Sequence, residues 1–91
     1  MNPKEILQSE GFVHVYEWHD EPNIEYPKHS HSGKVSIFIE NGDVTFSFSD
    51  GVTYMVQSGE RFDVPVGIEH TAVVGLNGCD YIVGEMIEGD S

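Results

Sequence analysis

Three histidines in this sequence have the spacing of a metal site. His29 and His31 are separated by a single residue, and His70 closes the segment Gly59–His70, which contains a Pro-x-Gly turn. Alternate residues of a β-strand point to the same face, so His29 and His31 converge if they share a strand. Neutral imidazole is a good ligand for divalent zinc, copper, iron and nickel. The spacing therefore predicts a divalent transition metal bound by these side chains if a neighbouring strand supplies His70.

The length and composition are those of one small globular domain. The chain has 91 residues, 38% of them hydrophobic, and we expect residues 1–91 to form a single domain. A domain of this size buries only about 60% of the surface of its unfolded chain, so additional stabilisation from a metal or a partner subunit is expected. We therefore predict a homodimer.

The charge balance excludes several classes of partner. Lys and Arg together number 4 and Asp and Glu 16, and the resulting net charge of −12 repels nucleic acids and anionic lipid surfaces. No apolar run approaches the roughly 20 residues of a membrane span, so no membrane partner is expected. The single cysteine has no partner for a disulfide within the chain, and the N-terminal segment does not resemble a signal peptide. The cytoplasm is therefore the expected compartment.

The elements that must position the histidines are almost all strands. Asn2, Pro3 and Glu5 have the order of a capping box with Pro in the first turn, which predicts one or two helical turns that end by Gly11. From Phe12 onward, turn residues punctuate strand-like segments and no helical period recurs. The pattern predicts an all-β body preceded by a short N-terminal helix.

Asn-Gly and Asp-Gly dipeptides mark the expected hairpins, because both central residues of a type I′ turn need positive φ. Asn41-Gly42 is expected to join strands 37–40 and 44–48, Asp50-Gly51 to join 44–48 and 52–56, and Asn77-Gly78 to join 70–75 and 81–87. Further strands are expected over 12–18 and 61–64, and the acidic residues 85–91 are expected to fray. Within 44–48, Val44, Phe46 and Phe48 alternate with polar residues, which places them in the core. Many short, regularly spaced strands indicate a sandwich or closed barrel.

Two segments resemble the motifs that define the cupins, a family of small β-barrels. The first motif reads Gly-x5-His-x-His, then Glu after three or four residues and Gly after six more, and the second reads Gly-x5-Pro-x-Gly-x2-His-x3-Asn. The chain keeps the first at His29, His31 and Gly42, with Asn23 at its leading Gly. The second is kept at Gly59, Pro65, Gly67 and His70, with Val74 in place of Asn. The resemblance implies a cupin-type jelly-roll β-barrel with a short N-terminal helix.

Val35 occupies the position of the glutamate that usually completes the cupin metal site. Without this glutamate, the expected site resembles that of the three-histidine cupins, which include thiol dioxygenases and a diketone-cleaving dioxygenase. Three neutral ligands leave the charge of the metal uncompensated and coordination positions open, which favours an anionic, chelating small molecule. An apolar Val35 beside the metal also excludes water and strengthens the electrostatic contacts of a bound substrate. Glu25 replaces the lost carboxylate only if the strand before His29 is unbroken at Pro27, which Pro disfavours.

Strand alternation and position in the chain supply the remaining candidates. The side chains expected to form an apolar pocket lining are Val35, Ile37, Phe46, Phe48 and Val74, although core packing alone accounts for most of them. Tyr26, at the entry to the histidine strand, is the candidate for catalytic proton transfer. His14 and His19 are expected at the surface. Cys79 is expected to be a buried, unreactive thiol rather than a reactive thiol near the metal.

These features support more than one functional class. The resemblance implies an iron-dependent dioxygenase acting on a small chelating substrate, with zinc, nickel, manganese or copper as alternative metals. The competing class is a non-catalytic module that binds or senses a metal or small molecule, because a cupin of this length lacks the extra strands and lids that usually define a substrate pocket. A hydrolytic or isomerising zinc site is a third alternative. The identity of the bound metal distinguishes it from the dioxygenase, because zinc is not redox-active. No general base, nucleophile or phosphate-binding loop is recognisable from spacing, so the metal must carry the chemistry.

Overall fold

The computed structural model describes residues 1–86. It begins with helix α1 (Pro3–Ser9), whose N-cap is Asn2. The Asn2 side chain accepts a hydrogen bond from the backbone N–H of Glu5, and the Glu5 carboxylate accepts one from the backbone N–H of Asn2, so the predicted capping box is confirmed. The helix ends before Gly11, as predicted, and the positive φ of Gly11, 94°, turns the chain toward the first strand.

Antiparallel strands make up most of the remaining described residues. They are β1 (His14–Asp20), β2 (Glu25–His29), β3 (Val35–Phe48), β4 (Thr53–Gln57), β5 (Arg61–Val64) and β6 (His70–Glu85). The long strands β3 and β6 pair with each other, and the shorter strands flank them. The predicted all-β fold with a short N-terminal helix is confirmed, and the arrangement is that of a jelly roll.

Both long strands run through the two halves of the molecule. In the first half, residues 35–42 of β3 pair with 79–85 of β6, and β5 and β1 flank them. In the second half, residues 44–48 of β3 pair with 70–74 of β6, and β4 and β2 flank them. Because the same two strands continue from one half to the other, they bend together between the halves.

These bends show that the hairpins predicted at Asn41-Gly42 and Asn77-Gly78 are wrong. Each dipeptide lies inside a continuous strand, next to a shift in the pairing register of β3 with β6. Gly42 and Gly78 do adopt positive φ, 82° and 75°, but they use it to bend paired strands rather than to reverse the chain. The two backbones approach so closely that a Cβ atom on Gly42 would meet the carbonyl group of Gly78. Both halves of each long strand therefore keep a partner.

Four residues with positive φ lie where the two halves meet, in a region that we call the corner. Its residues have positive φ values from 66° to 87° and are Asn23, Gly42, Gly59 and Gly78. Backbone hydrogen bonds connect neighbouring segments here. The N–H of Asn23 donates to the carbonyl oxygen of Gly75, and the N–H of Ser58 donates to the carbonyl oxygen of Gly42. Asparagine tolerates positive φ better than most residues with a side chain, which explains how Asn23 stands at the leading Gly position of the first motif.

The hairpin predicted at Asp50-Gly51 is confirmed between β3 and β4, but the type I′ turn is not, because Gly51 has positive φ, 91°, and Asp50 does not. The N–H of Phe48 donates to the carbonyl of Val52, and the N–H of Gly51 donates back to the carbonyl of Phe48. The predicted alternation in β3 is also confirmed, because Val44, Phe46 and Phe48 are buried in the main core.

A second, smaller cluster lies under α1, where Leu7 is completely buried against Phe12 and Ile82. Within residues 1–86, the only helix is far too short to cross a bilayer, so no membrane-spanning helix is found there. The predicted fraying of residues 85–91 is wrong at Glu85, which ends β6 and pairs with His14 and Val35. Residues 87–91 lie outside the described residues.

Candidate metal centre

The three predicted ligands lie together at one end of the second half. His29, the last residue of β2, is paired with His70, the first residue of β6, in the register of the sheet. The ring centroids of His29 and His70 are 4.5 Å apart, and that of His31 lies 5.0 Å from His29 and 5.4 Å from His70. One ring nitrogen of each residue lies within 4.8 Å of the others. Nitrogens bound to one ion at about 2.1 Å are about 3.0 to 3.4 Å apart, so small side-chain rotations are enough to close the site.

His31 reaches this cluster by a different route from the one predicted. Strand β2 ends at His29, so His31 lies in the following loop and not on the same strand. The backbone N–H of Gly67 donates to the carbonyl oxygen of His31 at 2.9 Å. Gly67 has a φ of 79°, the conformation expected for the Pro-x-Gly turn. The second motif therefore positions two ligands, His70 through the strand that follows and His31 through this hydrogen bond.

Backbone carbonyls orient two of the rings. His29 Nδ1 donates to the carbonyl oxygen of Pro27 at 2.7 Å, and His70 Nδ1 donates to that of Ile68 at 3.3 Å. Since a carbonyl oxygen only accepts, Nδ1 carries the proton in both rings and Nε2 keeps a lone pair for a ligand bond. Burial lowers the pKa of His70, the neighbouring His29 acts in the same direction, and the hydrogen bond to Ile68 opposes them. The donor set therefore fits a divalent transition metal.

A cavity of about 260 Å³ opens beside the histidines, between the inner faces of the two halves. Its wall contains all three histidines together with Val35, Ile37 and Phe46. Val35 thus borders the site at the position where the first motif has its glutamate. The wall is predominantly apolar, so a ligand that enters leaves most of its water behind.

Two residues predicted to line the pocket, Phe48 and Val74, do not border this cavity. Both are buried in the main core. Phe48 pairs with His70 across the sheet, and the two ring centroids are 5.0 Å apart. The side chain of Phe48 therefore supports His70 from the core side. Val74 lies next to the corner, where it pairs with Val44, four residues along β6 from His70.

Tyr26 does line the cavity, although it precedes His29 by three residues. Residues three apart face opposite sides of a regular strand. The pairing of β2 with β6 shifts between Tyr26 and His29, where Pro27 lies, and this irregularity turns both side chains inward. Glu25, which an unbroken strand aligns with His29, is exposed and does not border the cavity. Glu25 therefore does not replace the carboxylate of the first motif.

A buried aspartate that sequence reasoning missed holds the Tyr26 hydroxyl. Asp20 is only 6% exposed and lines the cavity. The Tyr26 hydroxyl donates to its carboxylate, at 2.7 Å and 2.8 Å from the two oxygens, and Trp18 Nε1 donates to Asp20 Oδ1 at 3.1 Å. Burial and then the bond to Asp20 raise the pKa of Tyr26, so its hydroxyl stays protonated. The predicted first strand, 12–18, ended before Asp20, whereas β1 extends to Asp20. The alternation of Tyr16, Trp18 and Asp20 was the available signal, because all three line the cavity.

The remaining candidates lie where they were expected. His14 and His19 are exposed, and His19 is bonded to Asp80 and Glu21, which raise its pKa in that order. Cys79 is buried, and burial raises the pKa of its thiol to about 11, so it is an unreactive thiol at neutral pH.

Comparisons with known proteins identify structural relatives only. No protein-family model and no curated protein sequence matches the chain. The solved structure of protein NMB1881 from Neisseria meningitidis has a TM-score of 0.69 and 25% identity, and the match covers 80% of this chain and 72% of that one. An RmlC-like cupin from Shewanella frigidimarina has a TM-score of 0.66 and 20% identity over 82% of this chain and 67% of that one.

An enzyme is also among the similar structures. The polyketide cyclase RemF from Streptomyces resistomycificus has a TM-score of 0.68 and 27% identity over 82% of this chain, which spans 55% of the length of RemF. The bent pair of long strands, the positive φ at the motif glycines and these relatives agree with one another. The chain therefore has the fold of a small cupin domain.

Proposed function

We propose that this cupin binds one divalent transition metal through His29, His31 and His70 and acts with it on a small chelating substrate, as a dioxygenase-type enzyme. The observation that carries the proposal is the convergence of the three imidazoles at the wall of an apolar cavity, within 4.8 Å of one another. The carbonyl contacts of His29 and His70 support it, because they leave Nε2 of both rings available.

A divalent metal held here supplies open coordination positions for a chelating molecule and, if it is redox-active like iron, electron transfer with dioxygen. The protein supplies the shape and polarity of the surroundings. Val35 and Ile37 exclude water from the side of the cavity next to the histidines. Phe46 and Phe48 pack against the His70 ring at centroid distances of 5.8 Å and 5.0 Å and hold its orientation.

Tyr26 has a changed role in this proposal. Its single proton is directed at Asp20, so it orients a substrate rather than protonating it. The cytoplasm and a homodimer stay as expectations from charge, cysteine content and size, and sedimentation of the purified protein tests the dimer.

Elemental analysis of untagged protein purified without added metal tests the proposal. The comparison uses the wild-type chain, a variant with His29, His31 and His70 all changed to Ala, and His19→Ala as a matched control for an exposed histidine outside the cluster. We expect about one metal ion per chain in the wild type and the control and none in the triple variant, since neutral histidines are the only ligands in the cluster.

Metal identity and oxygen uptake decide the chemistry. Iron at this ratio, with oxygen consumed in the presence of thiols, diketones or small chelating acids, supports the dioxygenase. Zinc or nickel without oxygen uptake contradicts it and favours a hydrolytic or isomerising site. A bound metal with no turnover on any substrate class favours the non-catalytic binding module. Absence of metal together with unchanged stability of the triple variant contradicts the metal site itself.

A further inference from the structure

The end of the cavity nearest the corner offers hydrogen-bond acceptors to a ligand. The hydroxyl proton of Tyr26 is used by Asp20, whose two carboxylate oxygens lie 2.7 Å and 2.8 Å away. The indole N–H of Trp18 also points at this pair, 3.1 Å from Asp20 Oδ1 and 3.3 Å from the Tyr26 oxygen. The Tyr81 hydroxyl is a further hydrogen-bond partner of Asp20. Tyr26, Trp18 and Tyr81 can all only donate to a carboxylate, which has about four acceptor sites, so no donor at this end is left for a ligand. A ligand group that meets Asp20 and Tyr26 must therefore donate.

The charge of the cavity wall points in the same direction. Asp20 and Glu85 both line the cavity, and no Lys or Arg does so among the described residues. The Glu85 carboxylate accepts a hydrogen bond from the Tyr16 hydroxyl at 2.8 Å. Tyr16, Trp18 and Tyr26 add aromatic rings to the same side of the wall, and aromatic faces attract cations. Glu85 pairs with Val35 at the end of the strands away from the corner, so Asp20 is the charge that a ligand group meets at the corner end. A second anionic group on a ligand is repelled by Asp20, whereas a cationic group is attracted.

The distance between this end and the histidines sets the length of the ligand. Tyr26 is paired with Ala72 of β6, and His29 is paired with His70, two residues away on the same strand. Two residues of a strand span about 7 Å. Three methylene groups between two polar ends cover a distance of this order. A ligand with three methylene groups therefore matches the backbone spacing of the two ends.

We infer that the cavity selects a small zwitterion, with a chelating carboxylate-type group toward the histidines and a protonated amine toward Asp20 and Tyr26. The inference rests on the proposed function for the histidine end and narrows the ligand class expected from the sequence, which was anionic or chelating. A dianionic chelator is rejected by Asp20. An uncharged alkyl end leaves the acceptors of Asp20 and Tyr26 without a donor.

Three ligands of matched chain length test this selection. They are 4-aminobutanoate, pentanoate, which replaces the ammonium group by methyl, and glutarate, which replaces it by a second carboxylate. Binding to the wild-type protein is measured by calorimetry and by NMR, after loading with Co²⁺ and again without metal. We expect 4-aminobutanoate to bind about tenfold more tightly than pentanoate, because a charge-assisted hydrogen bond is lost in pentanoate, and glutarate to bind most weakly.

Two substitutions on the same strand locate the effect. Asp20→Asn removes the charge with little change in shape and is expected to abolish the preference for the amine. Glu17→Gln removes the same charge from β1 but from an exposed residue outside the cavity wall, so the preference is expected to persist. Tyr26→Phe is a second test, expected to weaken the preference, if Asp20→Asn fails to give a folded NMR spectrum.

The outcomes separate this inference from the proposed function. Co²⁺ uptake without any preference for the amine overturns the zwitterion and leaves the metal site standing. Failure to bind Co²⁺ overturns the metal site. The preference of the metal-free protein for 4-aminobutanoate over pentanoate then still tests whether Asp20 and Tyr26 bind the amine. Equal or tighter binding of pentanoate or glutarate to the wild type, an unchanged preference in Asp20→Asn, or no binding of any of the three overturns the inference.

Discussion

Replacing Gly42 by Ala tests whether the two long strands touch at the corner. A Cβ atom at this position would lie 1.9 Å from the carbonyl oxygen of Gly78, whereas real contacts of Cβ atoms are almost never below 3.0 Å. The two strands must therefore separate by about 1.1 Å to accept it. The change also forces a residue with a side chain into a φ of 82°.

Gly51 provides the matched control, because its φ is 91° and nothing lies within 4 Å of a Cβ placed there. Gly51→Ala therefore carries only the conformational strain, about 1–2 kcal/mol. Gly42→Ala adds overpacking of about 1–3 kcal/mol and the weakening of strand hydrogen bonds of about 1 kcal/mol each, or roughly 3–6 kcal/mol in all. Gly78→Ala, with a φ of 75° and a Cβ 2.8 Å from the Asp20 carbonyl oxygen, is expected between the two.

Guanidinium unfolding followed by far-UV circular dichroism and by the fluorescence of Trp18 measures the series. A domain of this size has a total free energy of unfolding of about 5–14 kcal/mol, so Gly42→Ala is expected to remove a large part of it. Gly51→Ala is expected to remove less, and each kcal/mol lost corresponds to a fall of about 4–8 °C in the melting temperature. Equal effects of Gly42→Ala and Gly51→Ala refute the close approach of β3 and β6 and, with it, the bend that forms both halves.

Three further changes probe the site, the acid response and the helix. Gly67→Ala strains the turn whose N–H holds the His31 carbonyl, so Co²⁺ affinity should fall about tenfold while stability falls no more than in Gly51→Ala; an unchanged affinity contradicts the role of that hydrogen bond. The hydrogen bond from the Ser36 hydroxyl and then the contacts of Arg61 lower the pKa of Asp63 in the folded protein. These contacts therefore stabilise the folded state fully above the ordinary pKa of Asp, and this stabilisation is lost as the pH falls through the lowered pKa of Asp63. Ser36→Ala should therefore destabilise the protein at neutral pH, with a difference from the wild type that shrinks in urea titrations below pH 3.8, and a constant difference at all pH values argues against the linkage. Leu7→Ala should cost about 2–5 kcal/mol because Leu7 is completely buried under α1, and a loss below about 1 kcal/mol in urea unfolding means that the helix does not pack on β6 as described.

The elements that the sequence predicted correctly are those determined by interactions between residues close together in the chain. The capping box of α1 depends on Asn2 and Glu5, three residues apart, and the Asp50-Gly51 hairpin depends on one turn. The burial of Val44, Phe46 and Phe48 follows from alternation within a single strand. In each case the atoms that decide the structure are neighbours in the chain.

The two wrong hairpins show where local chemistry is insufficient. A turn and a bulge both need positive φ, so Asn41-Gly42 and Asn77-Gly78 satisfy either structure equally well. The choice is made by distant pairing, because β3 and β6 find partners for both of their halves in each other. The position of His31 has the same explanation, since the hydrogen bond that places it comes from Gly67, far along the chain.

The corner connects the fold to the ligand end of the cavity. Asp20 is the last residue of β1 and Tyr26 the second residue of β2, so the turn around Asn23 brings the carboxylate and the hydroxyl together across a gap of only six positions. His29 lies farther along β2, beyond the irregularity at Pro27, and depends on the pairing with His70 instead. The polar ends of the cavity therefore have separate structural supports, the corner for Asp20 and Tyr26 and the second motif for the histidines. Because their supports differ, the residues that select a ligand can change without disturbing the residues that bind the metal.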